Sequence, residues 1–337
     1  MATSRYLRAA LLLTLLAGTI APGRACDICG CFMGITPYDN QSSFMLMHRY
    51  RVFNGYQALG QAHSLFPAGG RPVASTALNS DNDGYRHSHR GDPSDFEIFR
   101  VLELRGKYFL ARRVELNAFV PLVMNTEQAN GRQLNIGGLG DATVFAGYHL
   151  LRRLETEGVQ HRLVLGGGLK LPTGNYRRAN ADGVRYPMLS QAGTGTTDVF
   201  AYANYLASYR GVGLSLTGNY RRSNENAFRN SVAPSVAGFA NVFYRVALGE
   251  NWQVYPSAQF YYEQTAGEML DGRLTHEHAL QDALLGPGLD VYYQNFSLNT
   301  SVQLPVYTAS TDHPASAGRV VLALGYSFKQ TKYLFGK

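Results

Sequence analysis

The sequence predicts an all-β protein, a closed antiparallel transmembrane β-barrel of about twelve strands. Three observations predict it. From about residue 41 nearly to the end, strand-length segments alternate apolar and polar side chains, with no sustained helical period. Charged residues make up only 16% of the chain, against roughly 25% in a soluble globular protein. The connections alternate between tight turns and long polar loops, the asymmetry that outer-membrane barrels show.

Residues 1–25 read as an export signal. Arg5 and Arg8 precede the apolar run Ala9 to Ile20, and small residues occupy the cleavage-defining positions, so cleavage is expected after Ala25. No other long apolar run exists, and this one falls short of the ~18 to 20 residues of a membrane helix, which excludes helical spans. Of the 31 lysines and arginines three leave with the signal, so 28 face 24 acidic residues and the formal charge is +4. That is too mild to argue for a nucleic-acid partner.

Residues 26–41 form a cysteine-rich segment that carries all three cysteines of the chain, Cys26, Cys29 and Cys31. Three thiolates so close together can wrap Cu(I), or Zn(II) with one further ligand, and Met33, Met45, Met47 and His48 stand nearby. The alternatives are one disulfide with a spare thiol, anchoring a periplasmic plug, and lipidation of Cys26. Gly23 and Arg24 fit a lipidation signal poorly. Beyond this segment no cofactor is required.

The strands follow at about 42–53, 95–109, 113–123, 139–150, 161–171, 197–209, 212–222, 235–248, 251–264, 281–293, 295–306 and 317–329. Near the end, Phe296, Leu298, Val302, Leu304 and Val306 share one face while Ser297, Asn299, Ser301 and Gln303 share the other. Val212, Leu214, Leu216 and Tyr220 oppose Ser215, Thr217, Asn219 and Arg221 in the same way. Tight connections are expected at Leu110 to Arg112, Arg210 to Gly211, Gly249 to Glu250 and Gln294. Long loops are expected at 54–94, 124–138, 172–196, 223–234, 265–280 and 307–316. An even strand count places both termini on the short-turn, periplasmic side, with 42–329 as the barrel and 330–337 as a C-terminal tail.

A soluble β-sandwich would also alternate. Its strands are usually about 5 to 6 residues long, shorter than these. Aromatic residues also gather near strand ends, at Tyr148, Tyr205, Tyr209, Tyr220, Tyr244, Tyr261, Tyr262, Tyr292, Tyr293, Tyr326 and Phe328, as in interfacial girdles. A sheet that faces lipid must close on itself to satisfy its backbone.

The face opposite the oily one supplies the candidate solute path: Arg49, Arg51, Glu103, Arg105, Glu115, Lys170, Arg221 and Arg245, with Lys107, Asn117, Asn219, Asn241, Gln253, Gln259 and Asp290. A wall of this kind exchanges a solute's hydration for polar contacts. Basic residues lead slightly, which favours weak anion selectivity. The alternative is that these groups pair with one another and fill the barrel. The glycines at 166–168, 286 and 288 fit strand bending or close packing.

His87 with His89 and His276 with His278 lie in long loops, where solvated imidazoles are the default and a surface metal the exception. His149 and His161 are the strand histidines, and neither has a serine at a useful spacing, so an enzyme is not expected.

Three segments carry a family resemblance: GLGDATVFAGYHL from Gly138, LGGGLKLPTGNY from Leu165 and QAGTGTTDVFAYANY from Gln191. With them the chain resembles bacterial outer-membrane proteins of the meta-pathway phenol-degradation transporter family, and especially members that begin with CDxCGC. The resemblance runs through GPGLDVYYQNFSLNTSVQLPVY to ALGYSF, and the tail KQTKYLFGK departs from barrels that stop at a terminal aromatic. It implies a channel or transporter in the outer membrane of a Gram-negative bacterium, with a small-molecule solute. Outer-membrane lipid, lipopolysaccharide and the barrel-assembly machinery would be its partners. The runner-up is a non-conducting barrel with a periplasmic CxxCxC metal-binding or redox segment.

Overall fold

The computed structural model describes residues 41–56, 63–64, 96–129, 132–153, 158–180, 183–274, 280–310 and 314–329. The export signal, Cys26, Cys29, Cys31, both His-x-His pairs and the 330–337 tail lie outside the described residues. Twelve strands form the wall: β1 Gln41–Tyr56, β2 Phe96–Ala111, β3 Val114–Ala129, β4 Thr143–Arg153, β5 Gln160–Lys170 and β6 Asp198–Tyr209, then β7 Val212–Ser223, β8 Ser235–Tyr244, β9 Trp252–Thr265, β10 Leu280–Tyr293, β11 Phe296–Ser310 and β12 Pro314–Lys329. Each pairs antiparallel with its neighbours in the chain. The last closes on the first, from Gln41 opposite Lys329 to Tyr56 opposite Pro314. Closure leaves no unpaired edge among the wall strands, which a lipid environment demands.

The turns at one end are tight for reasons the sequence carries. Arg210 and Gly211 take φ of 48° and 90°, the mirror-image two-residue turn that matches strand twist. Gln294 takes φ of 52° in the turn from β10 to β11. At the other end the wall extends further than the alternation of oily residues indicates. β3 continues to Ala129 and pairs with a returning strand, Arg132–Leu139, where a loop at 124–138 is expected. β11 and β12 likewise take up most of 307–316. Thr126, Glu127 and Gln128 make the reason plain: a strand that has left the lipid no longer needs an apolar outer face, so the pattern vanishes while the hydrogen bonds continue.

Outside, Leu46, Leu104, Leu116, Leu122, Leu165, Leu216, Leu298, Leu322 and Leu324 are all exposed. An apolar surface of this extent is one that lipid covers. Near the tight turns Trp252 packs on Tyr293 at 4.5 Å, Phe296 on Tyr326 at 5.1 Å, and Phe328 on Phe44 at 5.8 Å. This belt crosses five adjacent strands at one level. Two residues expected in a girdle face the lumen instead: Tyr261 and Tyr292 are 1% and 6% exposed and point inward. Counting aromatics near strand ends does not distinguish the two faces.

The interior is more aromatic than a purely polar wall. Phe119, Phe145, Val164 and Tyr202 pack together on one side, and Phe243, Tyr255 and Tyr292 on another. Tyr202 needs two glycines beneath it. A Cβ at Gly147 would stand 2.2 Å from its hydroxyl oxygen, and one at Gly166 would stand 2.4 Å from its ring. The first glycine of 166–168 therefore makes room for an inward ring.

Candidate functional site in the barrel lumen

Inward positions of the wall collect charge in four groups. Near the long-loop end Arg51 lies between Glu263 and Asp282, with Nη2 2.5 Å from the Asp282 Oδ2. All three side chains are 0% exposed. The Tyr261 hydroxyl donates to Glu263 at 2.7 Å and the Thr308 hydroxyl to Asp282 at 2.5 Å, while Arg319 stacks on Tyr261 at 4.3 Å. In the second group Arg49 and Arg105 share Glu103, the former at 3.5 Å, and Arg105 covers the Phe119 ring at 4.3 Å. In the third, toward the tight turns, Glu115 meets His149 Nε2 at 3.1 Å and accepts from Asn117 at 3.3 Å and Tyr202 at 3.4 Å.

The fourth group holds a strap. Residues 171–197 join β5 to β6, and Met188 through Thr194 are buried. The strap reaches β3, where Asn125 Nδ2 donates to the Ser190 carbonyl at 3.4 Å, and the 266–279 connection, where Glu268 accepts from Leu189 N at 3.0 Å. It therefore reaches from β3 to the segment that follows β9. Its anchor is Asp141, whose Oδ2 accepts from Lys170 Nζ at 2.9 Å and Thr194 N at 2.8 Å, and whose Oδ1 accepts from Gly174 N at 2.9 Å. Lys170 also sits 3.2 Å from Asp198, which in turn lies 3.6 Å from Arg221. Gly174 and Gly193 touch backbone to backbone here, a Cβ on Gly193 standing 2.6 Å from the Gly174 Cα. Any side chain at either would push the segments apart. The three segments that carry the family resemblance, contributing Asp141, then Lys170 and Gly174, then Gly193, Thr194 and Asp198, meet at this one junction.

Burial alone would raise the Asp141 pKa, but the Lys170 ammonium and the Thr194 donors outweigh it and hold the carboxyl below its ordinary range. The sign follows from linkage. A carboxylate depressed in the folded state stabilises above its unfolded pKa of about 3.9, and the contribution is lost as pH falls through the lower, folded value. Amide exchange across residues 171–197, corrected for intrinsic rates, is expected to stay slow at neutral pH and to accelerate only in acid below about pH 4. In Asp141→Asn it is expected to be faster at neutral pH by about tenfold or more, the worth of a lost charge-assisted hydrogen bond. Equal protection in that variant would remove Asp141 as the anchor.

Arg49, Arg51, Glu103, Arg105, Glu115, Lys170 and Arg221 all point inward and are buried. Arg245 is not buried. β8 ends at Tyr244, and Arg245 is exposed in a break before Val246–Leu248, its backbone N donating to Gly211 O at 2.7 Å. The register runs through the break unshifted, so Arg245 keeps the inward parity of β8 and is exposed at the tight-turn rim. Of the other lumen positions Asn117, Asn241, Gln259 and Asp290 are buried, and Lys107, Asn219 and Gln253 are half-buried. His149 belongs to this wall, while His161 faces outward and bonds Tyr205 at 2.6 Å.

Sequence reasoning missed Asp141, Asp198, Glu263, Asp282 and Arg319. Glu263, Asp282 and Arg319 do share the inward parity of their strands, a signal that was available. Among the described residues no cluster of three metal-ligating side chains occurs.

Between Arg105, Lys107, Glu115 and Arg162, below the second group, a cavity of about 90 Å³ opens in the tight-turn half of the lumen. Met45, Phe119, Val164 and Tyr292 form its apolar wall, and Ser43, Ser215, Ser297 and Ser327 add hydroxyls.

A twelve-stranded barrel with an oily outer face, an aromatic belt and a charged interior is a β-barrel of the outer-membrane class. The chain belongs to the family described as "Putative MetA-pathway of phenol degradation", whose model matches residues 94–323, more than half of it. Among solved structures it is similar to an outer membrane channel from Pseudomonas putida F1, with a TM-score of 0.60 and 14% identity over 90% of this chain and 100% of that one. It is also similar to the beta domain of the Bordetella autotransporter BrkA (TM-score 0.45, 12% identity, 86% and 100% covered). The transport unit of the Escherichia coli autotransporter AIDA-I gives a TM-score of 0.43 at 12% identity, with 89% and 94% covered. No curated protein compared with the chain matches it.

Proposed function

We propose that this protein is an outer-membrane channel through which small solutes diffuse along the charged lumen. The observation that carries the reading is the inward convergence of Arg49, Arg51, Glu103, Arg105, Glu115, Lys170 and Arg221 inside a closed, lipid-facing barrel. Family membership and the channel from Pseudomonas putida F1 support it. Nothing in the sequence resembles a nucleotide-driven motor, so movement in this reading is passive. In this reading the tight turns and both termini face the periplasm, and the strap faces outward. Lipid and lipopolysaccharide surround the barrel after the assembly machinery inserts it. The segment 26–41 then lies at the periplasmic mouth as a plug or partner contact, with Cys26, Cys29 and Cys31 holding Cu(I), Zn(II) or a disulfide.

A second reading has an observation of its own. The ion pairs and inward rings fill much of the lumen, as in small barrels packed with side chains. That favours a non-conducting barrel whose working part is the cysteine segment.

Single-channel conductance of the refolded mature protein in a planar bilayer separates the two. Steady conductance is expected, both in the whole mature chain and in a variant lacking residues 26–41. Current only after truncation would make that segment a gate. Silence in both, with folding confirmed by heat-dependent gel mobility, would overturn the channel.

A further inference from the structure

At the long-loop end, outside the lumen, the rim carries arginines of its own. Arg177, Arg178 and Arg185 stand on the strap and Arg222 at the end of β7, all four exposed. None of the four meets a carboxylate among the described residues. The exposed carboxylates described in the neighbouring connections are Glu225 and Asp271, and Asp271 is held by Arg229 at 2.5 Å. The chain from Arg222 to Phe228 runs along the strap, since Asn224 N donates to Thr197 O at 3.0 Å and Asn226 Nδ2 to Thr194 O at 2.9 Å. Two of the arginines are held on rings at this seam. Arg185 covers Phe228 at 3.4 Å, and Arg177 covers Tyr176 at 5.2 Å while donating to its hydroxyl at 3.1 Å. The rings meet each other at 5.8 Å, so one aromatic pair positions both guanidinium groups. Stacking occupies the flat face of a guanidinium and leaves its N–H edge for an anion. A group already fixed also loses less freedom on binding.

Just below lies the oily wall. Arg222 stands opposite Val199 and one outward position beyond Tyr220, about 7 Å along the strand. Val199 and Tyr220 are exposed on the lipid face, as are Leu169 and Leu171 at the end of β5. Tyrosine at this height is an interfacial residue, and a cation one step further out is level with lipid headgroups. Arginine recognises phosphate through paired N–H donors. A free phosphate ion would leave the apolar part of this boundary unused, and a lipid with a single phosphate would engage fewer of the arginines.

We propose that this rim binds the diphosphorylated sugar headgroup of lipopolysaccharide, with its phosphates on Arg177, Arg185 and Arg222 and its acyl chains along Val199 and Tyr220. The choice of leaflet rests on the outward placement of the strap in the channel reading; the binding itself does not. Lipid A, the membrane anchor of lipopolysaccharide, is the probe. A dephosphorylated lipid A with the same acyl chains and phosphatidylglycerol, with one phosphate, are the comparisons. Native mass spectrometry of the folded mature chain in detergent micelles reads the lipid bound across a titration.

Lipid A is expected to bind at least about tenfold more tightly than either comparison. The triple variant Arg177→Gln, Arg185→Gln, Arg222→Gln, with folding checked by heat-dependent gel mobility, is expected to lose about tenfold or more in lipid A affinity. Arg113→Gln, in the exposed turn between β2 and β3, is expected to leave it unchanged. Equal binding of either comparison lipid, or undiminished lipid A binding in the folded triple variant, would overturn the surface. Orientation is read separately with Val184→Cys, exposed on the strap, and a maleimide too large to cross the outer membrane. Labelling on intact cells above the wild-type background is expected. Lipid A binding without labelling would overturn the outward placement and leave the surface standing, and labelling without lipid A binding would do the reverse.

Discussion

Arg51→Met is expected to destabilise the folded barrel by about 3 to 5 kcal/mol, the cost of removing one partner from a buried ion cluster. The guanidinium stands between Glu263 and Asp282, and all three side chains are closed off from solvent. Taking away the positive charge leaves two carboxylates at close range in an interior of low dielectric, where their repulsion is poorly screened. The hydrogen bonds from Tyr261 and Thr308 remain, but a hydroxyl donor offsets far less than a guanidinium. Urea unfolding of the protein in detergent, followed by tyrosine fluorescence and heat-dependent gel mobility, measures the loss. The triple replacement Arg51→Met, Glu263→Gln, Asp282→Asn is expected to recover much of it, because no uncompensated charge is then buried. A loss of under about 1 kcal/mol in the single variant, the value of an exposed pair, would mean that water reaches the cluster.

Leu216→Arg is expected to impair membrane assembly by about 2 to 4 kcal/mol, the penalty for a cation on the lipid face near the midplane. Leu216 lies within β7, is exposed, and is flanked across the sheet by Tyr205 and Ala240. Its neighbours in sequence, Ser215 and Thr217, face the lumen and are buried. Leu216→Val is the matched control, since it keeps an apolar side chain on the outer face. Membrane fractionation and gel mobility after mild heating read the outcome. Full insertion of the arginine variant would reverse the facing of β7, and with it the assignment of Arg221 to the lumen.

The strand number, the facing of each strand and the positions of the tight turns were legible because they are local. Side chains two apart share a face, so Leu214, Leu216 and Tyr220 identify the outside of β7 without reference to any other strand. Arg210-Gly211 specifies its turn through the dihedral freedom of two residues. The same locality explains the errors. Parity does not say whether a rim residue such as Arg245 is buried, and aromatic content does not separate Tyr261 inside from Tyr262 outside. A strand that has left the lipid loses its oily signature, so the ends of β3 and the return at Arg132–Leu139 read as loop.

The charged positions of the lumen were legible as a set, but their pairing was not. Arg51 meets Glu263 and Asp282 across 212 and 231 residues of chain. Which charges face each other inside a barrel depends on its closure and on the stagger of every ladder around it, properties of the whole circuit. The junction of Asp141, Lys170, Gly174, Gly193 and Thr194 is likewise a meeting of three segments, and no spacing within one of them announces it. By itself the sequence determined how many strands cross and which side of each meets lipid, because both follow from a two-residue period. Only the tertiary structure decided which charges neutralise one another, where the strap is anchored and where a cavity is left, because those follow from the closure of the sheet.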